Sequence, residues 1–453
     1  MIHKRYERYK DSGIEWIGEI PEHWGILKLK LLLNSLISGG TPDSNDESNW
    51  TENDDGIPWV SIGDMFQRNE IVSTKAKITL KGLKEKNLSI LPEGTLLYSI
   101  FATLGRVCEL KISATTNQAI LGLIPNSKIS QAYLKWFLTS LEQYVQEYAS
   151  VNTQNNLNAY KVKNLYTTKP PITEQNIISN YLDHKTSEID SLIAEKEELI
   201  TKLEEYKQSI ITEAVTKGLN PDVKTKDSGI EWIGEIPEHW DIKKVKHITS
   251  YIGSGKTPRG GSEVYAEHGV LFLRSQNIYP DGLRLKEKTY IDKIMDHEMK
   301  NTRVKRQDVL LNITGASIGR ASIVPDDFPK ANVNQHVCIL RPFKMKVVPS
   351  LLLIIVTAKY LQSQIFMHQS GSSREGLNFE RVANLRIALP PISEQEDICE
   401  YLMGNISDVN NLIKDIYANI VNLKSYRQSL IYEAVTGKID VRDFQPERSE
   451  QLA

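Results

Sequence analysis

Gly253-Ser-Gly-Lys-Thr257 is the stretch where phosphate chemistry would first be sought, since a glycine-rich turn ending in Gly-Lys-Thr can wrap its amides around a phosphate. The full motif needs a glycine five positions before the Gly of the Gly-Lys pair, and Ser250 stands there. Pro258 follows where the motif would begin a helix, and the matching turn earlier in the chain, Gly39-Gly-Thr-Pro42, has no lysine. The pattern therefore reads as a Thr-Pro turn and not an ATP site, although Lys256 is suited to a phosphate of another kind. The Pro-Pro pairs at 170–171 and 390–391 lack the flanking Asn and Tyr of an amino-methyltransferase motif. Neither His23 nor His239 has a second His or Cys at metal-ligand spacing, so both read as structural. Asp326-Asp327 lies in a Pro-flanked turn, and no Ser/His/Asp arrangement or cofactor fingerprint stands out. No catalytic constellation, metal site or cofactor site is legible.

A set of loop residues suited to DNA is legible. Arg and Lys can bond guanine through a two-pronged contact and Asn or Gln can bond adenine, while further basic groups hold phosphates. Arg259, Arg274, Ser275 and Asn277 flank strand-like runs, with Lys256 just before them. Gln154, Asn155 and Asn156 form an amide-rich loop whose counterpart holds Arg374 and Asn378. Arg106 and Arg320 occupy equivalent Gly-Arg turns, and Lys75 and Lys77 belong to a local lysine group. For any one of these residues a plain turn role is the simpler reading.

The elements that must position them come from an ordinary composition: 453 residues, 40% hydrophobic, 25% charged, formal net charge −2. Local charge is less even. Residues 241–346 hold 19 Lys+Arg against 11 Asp+Glu, whereas 25–128 hold 11 of each, with acids crowding 43–55. The three cysteines, Cys108, Cys338 and Cys399, suggest reduced thiols and a cytoplasmic setting. No apolar core marks a signal peptide at the N-terminus, and the longest apolar run, 351–356, is too short for a membrane span and reads as a buried helix.

One plan is written twice. Asp-Ser-Gly-Ile-Glu-Trp-Ile-Gly-Glu-Ile-Pro-Glu-His-Trp occupies 11–24 and again, letter for letter, 227–240. Ser38-Gly-Gly-Thr-Pro42 corresponds to Ser254-Gly-Lys-Thr-Pro258, Thr116-Asn-Gln118 to Val333-Asn-Gln335, and Pro-Pro-Ile-Thr-Glu-Gln175 to Pro-Pro-Ile-Ser-Glu-Gln395. Short β-rich runs (57–62, 95–100 and 118–124; 270–273, 309–313 and 337–340) precede helical segments at 131–148 and 349–367. Stretches such as 43–55 and 259–268 share little, so a repeated frame carries two different sets of inserts.

Each half closes in a long helix without proline. From Ile189 the spacing predicts a coiled-coil seam through Ile189, Leu192, Lys196, Leu199, Leu203, Tyr206, Ile210 and Ala214. In the same register later, Leu412, Ile416, Asn419, Leu423, Tyr426 and Leu430 form the partner seam, with Lys196 and Asn419 as polar interruptions. The domain reading is a globule over 1–170, a helix over 171–220, a second globule over 221–390, a helix over 391–440 and a loose polar tail over 441–453.

Together the repeated segments, Ser-Gly-x-Thr-Pro turns, Pro-Pro-Ile-x-Glu-Gln motifs and long helices resemble the specificity subunit of type I restriction–modification enzymes. The resemblance implies an α+β chain in which two pseudo-symmetric target recognition domains are separated by two antiparallel coiled-coil spacer helices. It implies a non-catalytic, cytoplasmic, membrane-free subunit without cofactors of its own, whose globules each read half of a bipartite, asymmetric site in double-stranded DNA. The helices would set the spacer and help dock two methylation subunits, which motor–nuclease subunits can join. A coiled-coil adaptor that holds two copies of a protein partner, without DNA, is the alternative from a different class.

Overall fold

Strand Val309–Asn312 shows why the globular parts read as short unbroken apolar runs. Successive side chains of a strand point to opposite faces. Val309 and Leu311 meet Leu351 and Ile355 of a helix, whereas Leu310 turns to Leu273, Val333 and Ile339 on the other side. A strand buried on both faces has no polar face to alternate with. Leu96–Ser99 repeats the arrangement: Leu97 joins Val60, Met65 and Ile120, while Leu96 and Tyr98 are fully buried on the opposite face.

The computed structural model describes residues 4–66, 69–142, 144–145, 157–256, 265–286, 288–367 and 376–445. The chain forms two units: unit 1 is Met1–Lys196 with Ala418–Ala453, and unit 2 is Glu197–Tyr417. Unit 1 contains a sheet in the order Leu33–Ser38, Ile120–Pro125, Leu96–Ser99, Val107–Leu110, Glu70–Ile71. Unit 2 has the same first four positions: Thr249–Ser254, Val337–Pro342, Val309–Asn312, Ala321–Ile323. Those four are antiparallel neighbours in both units. A second small sheet in each unit is built on one parallel pair, Ile57–Val60 with Thr115–Thr116 and Val270–Leu273 with Ala331–Val333.

The duplicated fourteen-residue segment anchors each unit to helix ends. His23 Nε2 meets Glu174 Oε2 at 2.8 Å in unit 1, and His239 Nε2 meets Glu394 Oε2 at 2.9 Å in unit 2. The neighbouring Gln175 and Gln395 accept from the amides of Ser130 and Val348 (2.7 and 2.8 Å) and donate to the carbonyls of Pro170 and Pro390 (both 2.9 Å). Buried polar groups need such partners, which explains the Glu-Gln pair in both repeats. Gly437, at φ +73°, ends the second long helix against Pro21 and Trp24, where a Cβ would lie 2.3 Å from Pro21 Cδ.

The two long helices, Ile172–Lys217 and Ile392–Val435, run antiparallel within each unit. Asp190 pairs with Arg427 in unit 1 (Oδ1 to Nε, 2.9 Å), and Lys207 Nζ donates to Asn410 Oδ1 in unit 2 (3.0 Å). Their seam departs from the sequence expectation at every second step. Thr186, Ile189, Ile193, Ile200 and Ala214 are buried and Lys196, Leu203 and Ile210 half-buried, while Leu192, Leu199 and Tyr206 are exposed. On the second helix Ile413, Ile416, Ile420 and Leu430 are buried and Leu423 half-buried, and Leu412, Asn419 and Tyr426 face solvent. Alternating steps of four and three starting at Ile189 give this line, in place of the expected three and four. Both phases offer apolar side chains, and the one rich in β-branched isoleucine is buried. Asn419 is therefore no interruption of the seam.

Two further expectations change. The helical segment at 349–367 is broken into Pro349–Thr357 and Lys359–Met367, bent by 60°. Ala358 between them is extended, and Gln362 Nε2 holds the carbonyls of Val356 and Gly319 at 2.6 and 3.0 Å. The tail is not loose as far as Phe444, whose ring lies 5.2 Å from Tyr181 and 5.6 Å from His184. No single described helix is long and apolar enough to cross a membrane. All three cysteines are buried, and burial pushes Cys108 up to about 11 and Cys338 up to about 12, so they stay protonated thiols.

Unit 2 is tied together by a buried carboxylate. Asp296 receives Arg303 Nη2 at 2.6 Å and Lys330 Nζ at 2.5 Å. Burial alone would raise this acid, but the hydrogen bonds and charges of Arg303 and Lys330 outweigh it and hold it down at about 2. Since the unfolded carboxyl titrates near ~3.9, its contribution is complete above that pH and is lost as pH falls towards 2. Asp296→Asn is expected to cost about 2 kcal/mol near neutrality. Urea unfolding at pH 7, 4 and 2 checks it: the variant should lose less stability between pH 4 and 2 than the parent, and parallel profiles would refute the assignment.

Candidate nucleic-acid interface

Antiparallel neighbours place alternate strand ends on one edge. In unit 2 that edge collects the residues just after Thr249–Ser254 and Val309–Asn312 and those just before Val337–Pro342 and Ala321–Ile323. The parallel pair adds the residues after Leu273 and Val333. Lys256, Arg274, Ser275, Thr314, Arg320, Gln335 and His336 thus share one edge. The corresponding edge of unit 1 carries Thr41, Ser61, Phe101, Arg106 and Gln118.

The side chains on the two edges differ. His336 in unit 2 takes part in hydrogen bonds at both ring nitrogens, Nδ1 with Thr314 Oγ1 (2.5 Å) and Nε2 with Gln335 Nε2 (3.1 Å). Gln335 and Lys256 are exposed. In unit 1, exposed Gln118 accepts from the Thr41 hydroxyl, and exposed Phe101 follows strand Leu96–Ser99 on the same edge. Thr314, Gln335, His336, Gln118 and Thr41 were not singled out from the sequence as DNA contacts. The signal was present in the repeat of Asn-Gln just before a strand, which shows its meaning only once the strands are ordered in a sheet.

Several sequence-predicted contacts serve the fold. Asn277 is buried, accepting from the Arg274 amide (2.8 Å) and donating to the Arg284 carbonyl (2.8 Å), so its amide braces a turn. Asp64 does the same for Ser61 in unit 1 (2.9 Å). The Ser275 carbonyl accepts from Asn312 Nδ2 (2.9 Å), and the Arg274 guanidinium sits 5.8 Å from the Tyr265 ring centre. Asn378 caps helix Phe379–Asn384 by accepting from the Arg381 amide (2.8 Å). Such short amides are commonly caps, the simpler reading of that loop. Arg106 donates to Asn69 Oδ1 (3.2 Å) and lies 3.9 Å from Glu142, whose carboxyl burial raises despite the nearby guanidinium. Gln154, Asn155, Asn156, Arg259 and Arg374 lie outside the described residues.

Charge follows the same logic. Lys77 pairs with Asp54 (3.2 Å) and Lys81 with Asp46 (2.7 Å) because strands Trp50–Thr51 and Ala76–Ile78 are antiparallel neighbours. The crowded acids and the lysine group of unit 1 therefore neutralise each other, while Lys75 is exposed beside them. In unit 2 internal pairs such as Arg341 with Asp308 (2.8 Å) use acids already counted in the balance, so the basic excess over 241–346 remains. Among the described residues no group of three His, Cys, Asp or Glu is placed to hold a metal ion.

The sequence profile of the Type I restriction modification DNA specificity domain matches this chain twice, at residues 21–202 and 237–422. The type I restriction enzyme MjaIX specificity subunit of Methanocaldococcus jannaschii is 24% identical over 98% of this chain and 99% of its own length. The EcoBI specificity subunit of Escherichia coli is 22% identical over 95% of this chain and 89% of its own. Among solved structures, a chain of a type I R-M system superposes with a TM-score of 0.70 (16% identity, 92% of this chain and 98% of that one). The HsdS subunit from Thermoanaerobacter tengcongensis gives 0.52 (15% identity, 93% and 98%). A repeated α+β frame, an antiparallel helix pair in each unit and two matched domains covering most of the sequence lead to one conclusion: the chain belongs to the family of type I restriction–modification specificity subunits, the non-catalytic members of those complexes.

Proposed function

We propose that the strand-edge loops of the two units each read one half of a bipartite, asymmetric site in double-stranded DNA. One observation carries this reading: the same edge is built twice on the same strand order with a glutamine in common (Gln118 and Gln335), yet unit 2 presents Lys256 and His336 where unit 1 has Gly40 and Ala119. A shared frame with different donors and acceptors suits two different base sequences. The long helices set the gap between the half-sites. Leu192, Leu199 and Tyr206, seven residues apart and exposed, form an apolar row with no seam role, and we assign it to docking of methylation subunits. Leu412 and Tyr426 belong to the matching row on the second helix. Motor–nuclease subunits join through those partners, in the cytoplasm, and the chemistry resides in the partners.

Selection from randomised duplexes by the full-length chain, alone and with its methylation subunits, tests this. Two blocks of fixed bases separated by an unconstrained gap are expected, with binding that weakens steeply with salt as phosphate counterions are released. A single block would refute the bipartite reading. Salt-insensitive association with no selected bases would instead favour the protein adaptor, for which the exposed apolar rows would suffice.

A further inference from the structure

Unit 2 carries a hairpin, Ile278–Tyr279 paired with Gly282–Leu283, in the stretch where the sequences of the two halves diverge. Its Tyr279 ring has two guanidinium groups against it, Arg284 with Cζ 3.7 Å from the ring centre and Arg320 at 4.9 Å. Two cations beside one ring repel each other unless an anion or a strong acceptor joins them. Arg284 is paired with Asp281 (3.0 Å). Arg320 is exposed and forms no ion pair among the described residues. Its backbone is fixed on both sides: its amide donates to the Ser317 carbonyl (3.1 Å) and its carbonyl accepts from the Asn312 amide (2.8 Å).

The contrast with Arg106 gives this arrangement its meaning. Both arginines follow a left-handed glycine, Gly105 (φ +82°) and Gly319 (φ +86°), and both precede the outer strand of the shared frame. Arg106 is turned inward to Asn69 and Glu142. Arg320 is held outward on an aromatic plate at the strand edge. Contact with the ring limits where the guanidinium can swing, so its fork of N–H donors is kept at the strand edge before any ligand arrives.

We propose that Arg320, against the Tyr279 ring with Arg284 beside it, reads a guanine in the half-site of unit 2. The guanine major-groove edge offers N7 and O6 as paired acceptors that match the fork, whereas adenine offers an acceptor and a donor. The fork would also fit a phosphate, and the two contacts differ in outcome: loss of a base contact lowers preference at one position, whereas loss of a phosphate contact weakens all sequences alike. This assignment rests on the reading that unit 2 contacts DNA bases.

Randomised-duplex selection with the full-length chain and its Arg320→Lys, Arg320→Ala and Tyr279→Leu variants tests it, with thermal melting to confirm that each variant is folded. Arg320→Ala should lower the guanine preference at one position of one block by roughly 5- to 150-fold, and Arg320→Lys, which keeps the charge but not the planar fork, should lower it less while leaving the salt dependence unchanged. Tyr279→Leu should produce a smaller loss at the same position. An unchanged guanine preference in Arg320→Ala would overturn the proposal. So would an Arg320→Ala variant that binds all sequences more weakly to the same degree, with a salt slope reduced by about one, the mark of a phosphate contact. If the parent chain selects no bases at all, the DNA reading of the unit fails, and the assignment of Arg320 fails with it.

Discussion

Ile200→Ala should cost about 3 kcal/mol of stability, whereas Leu199→Ala, one residue earlier, should change it by less than about 0.5 kcal/mol. The difference follows from packing. Ile200 is 5% exposed in the helix pair of unit 2, and Leu199 is 44% exposed. Truncating a buried isoleucine loses its transfer energy and leaves a cavity, whereas an exposed leucine has little to lose. The roles should reverse in assembly. Leu199→Ala together with Leu192→Ala and Tyr206→Ala should leave the chain folded but impair capture of methylation subunits in co-purification. Equal unfolding costs at 199 and 200, measured in urea, would show that the seam is wrongly phased. Intact capture by the triple variant would remove the docking role from the exposed row.

The heptad problem shows how far the sequence could be read. Leu192-Ile193 and Leu199-Ile200 put two large apolar residues side by side, and periodicity alone cannot say which of each pair faces the partner. The existence of both helices was legible from their length and from the Pro-Pro and Gly punctuation, because those signals are local. The repeated frame was legible because duplicated segments retain their local interactions, as in His23 with Glu174 and His239 with Glu394. The edge was not. Gln335, Thr314 and Arg320 are separate along the chain and become neighbours only through strand order, which single-chain periodicity does not encode. Side-chain chemistry also misled. Asn277 and Asn378 are of types that read adenine, but a short amide next to a turn or helix start is equally suited to brace it.

Exchange of residues 241–390 for the equivalent segment of a family member with a different target site most directly tests the claim that the two units read separate halves of one site. These junctions carry strands Asp241–Lys244 and Arg386–Leu389 together, so their pairing survives the exchange. Trp240 and Glu394 stay outside the exchanged segment, with the Trp240 indole still donating to the Glu394 carboxylate at 3.0 Å. The donor segment must keep the turn that receives Gln395 at the Val348 amide and Lys346 carbonyl. Mapping methylated or selected bases for the hybrid complex should show a new sequence in one block, with the other block and the intervening gap unchanged. A change in both blocks, or in neither, would contradict the account.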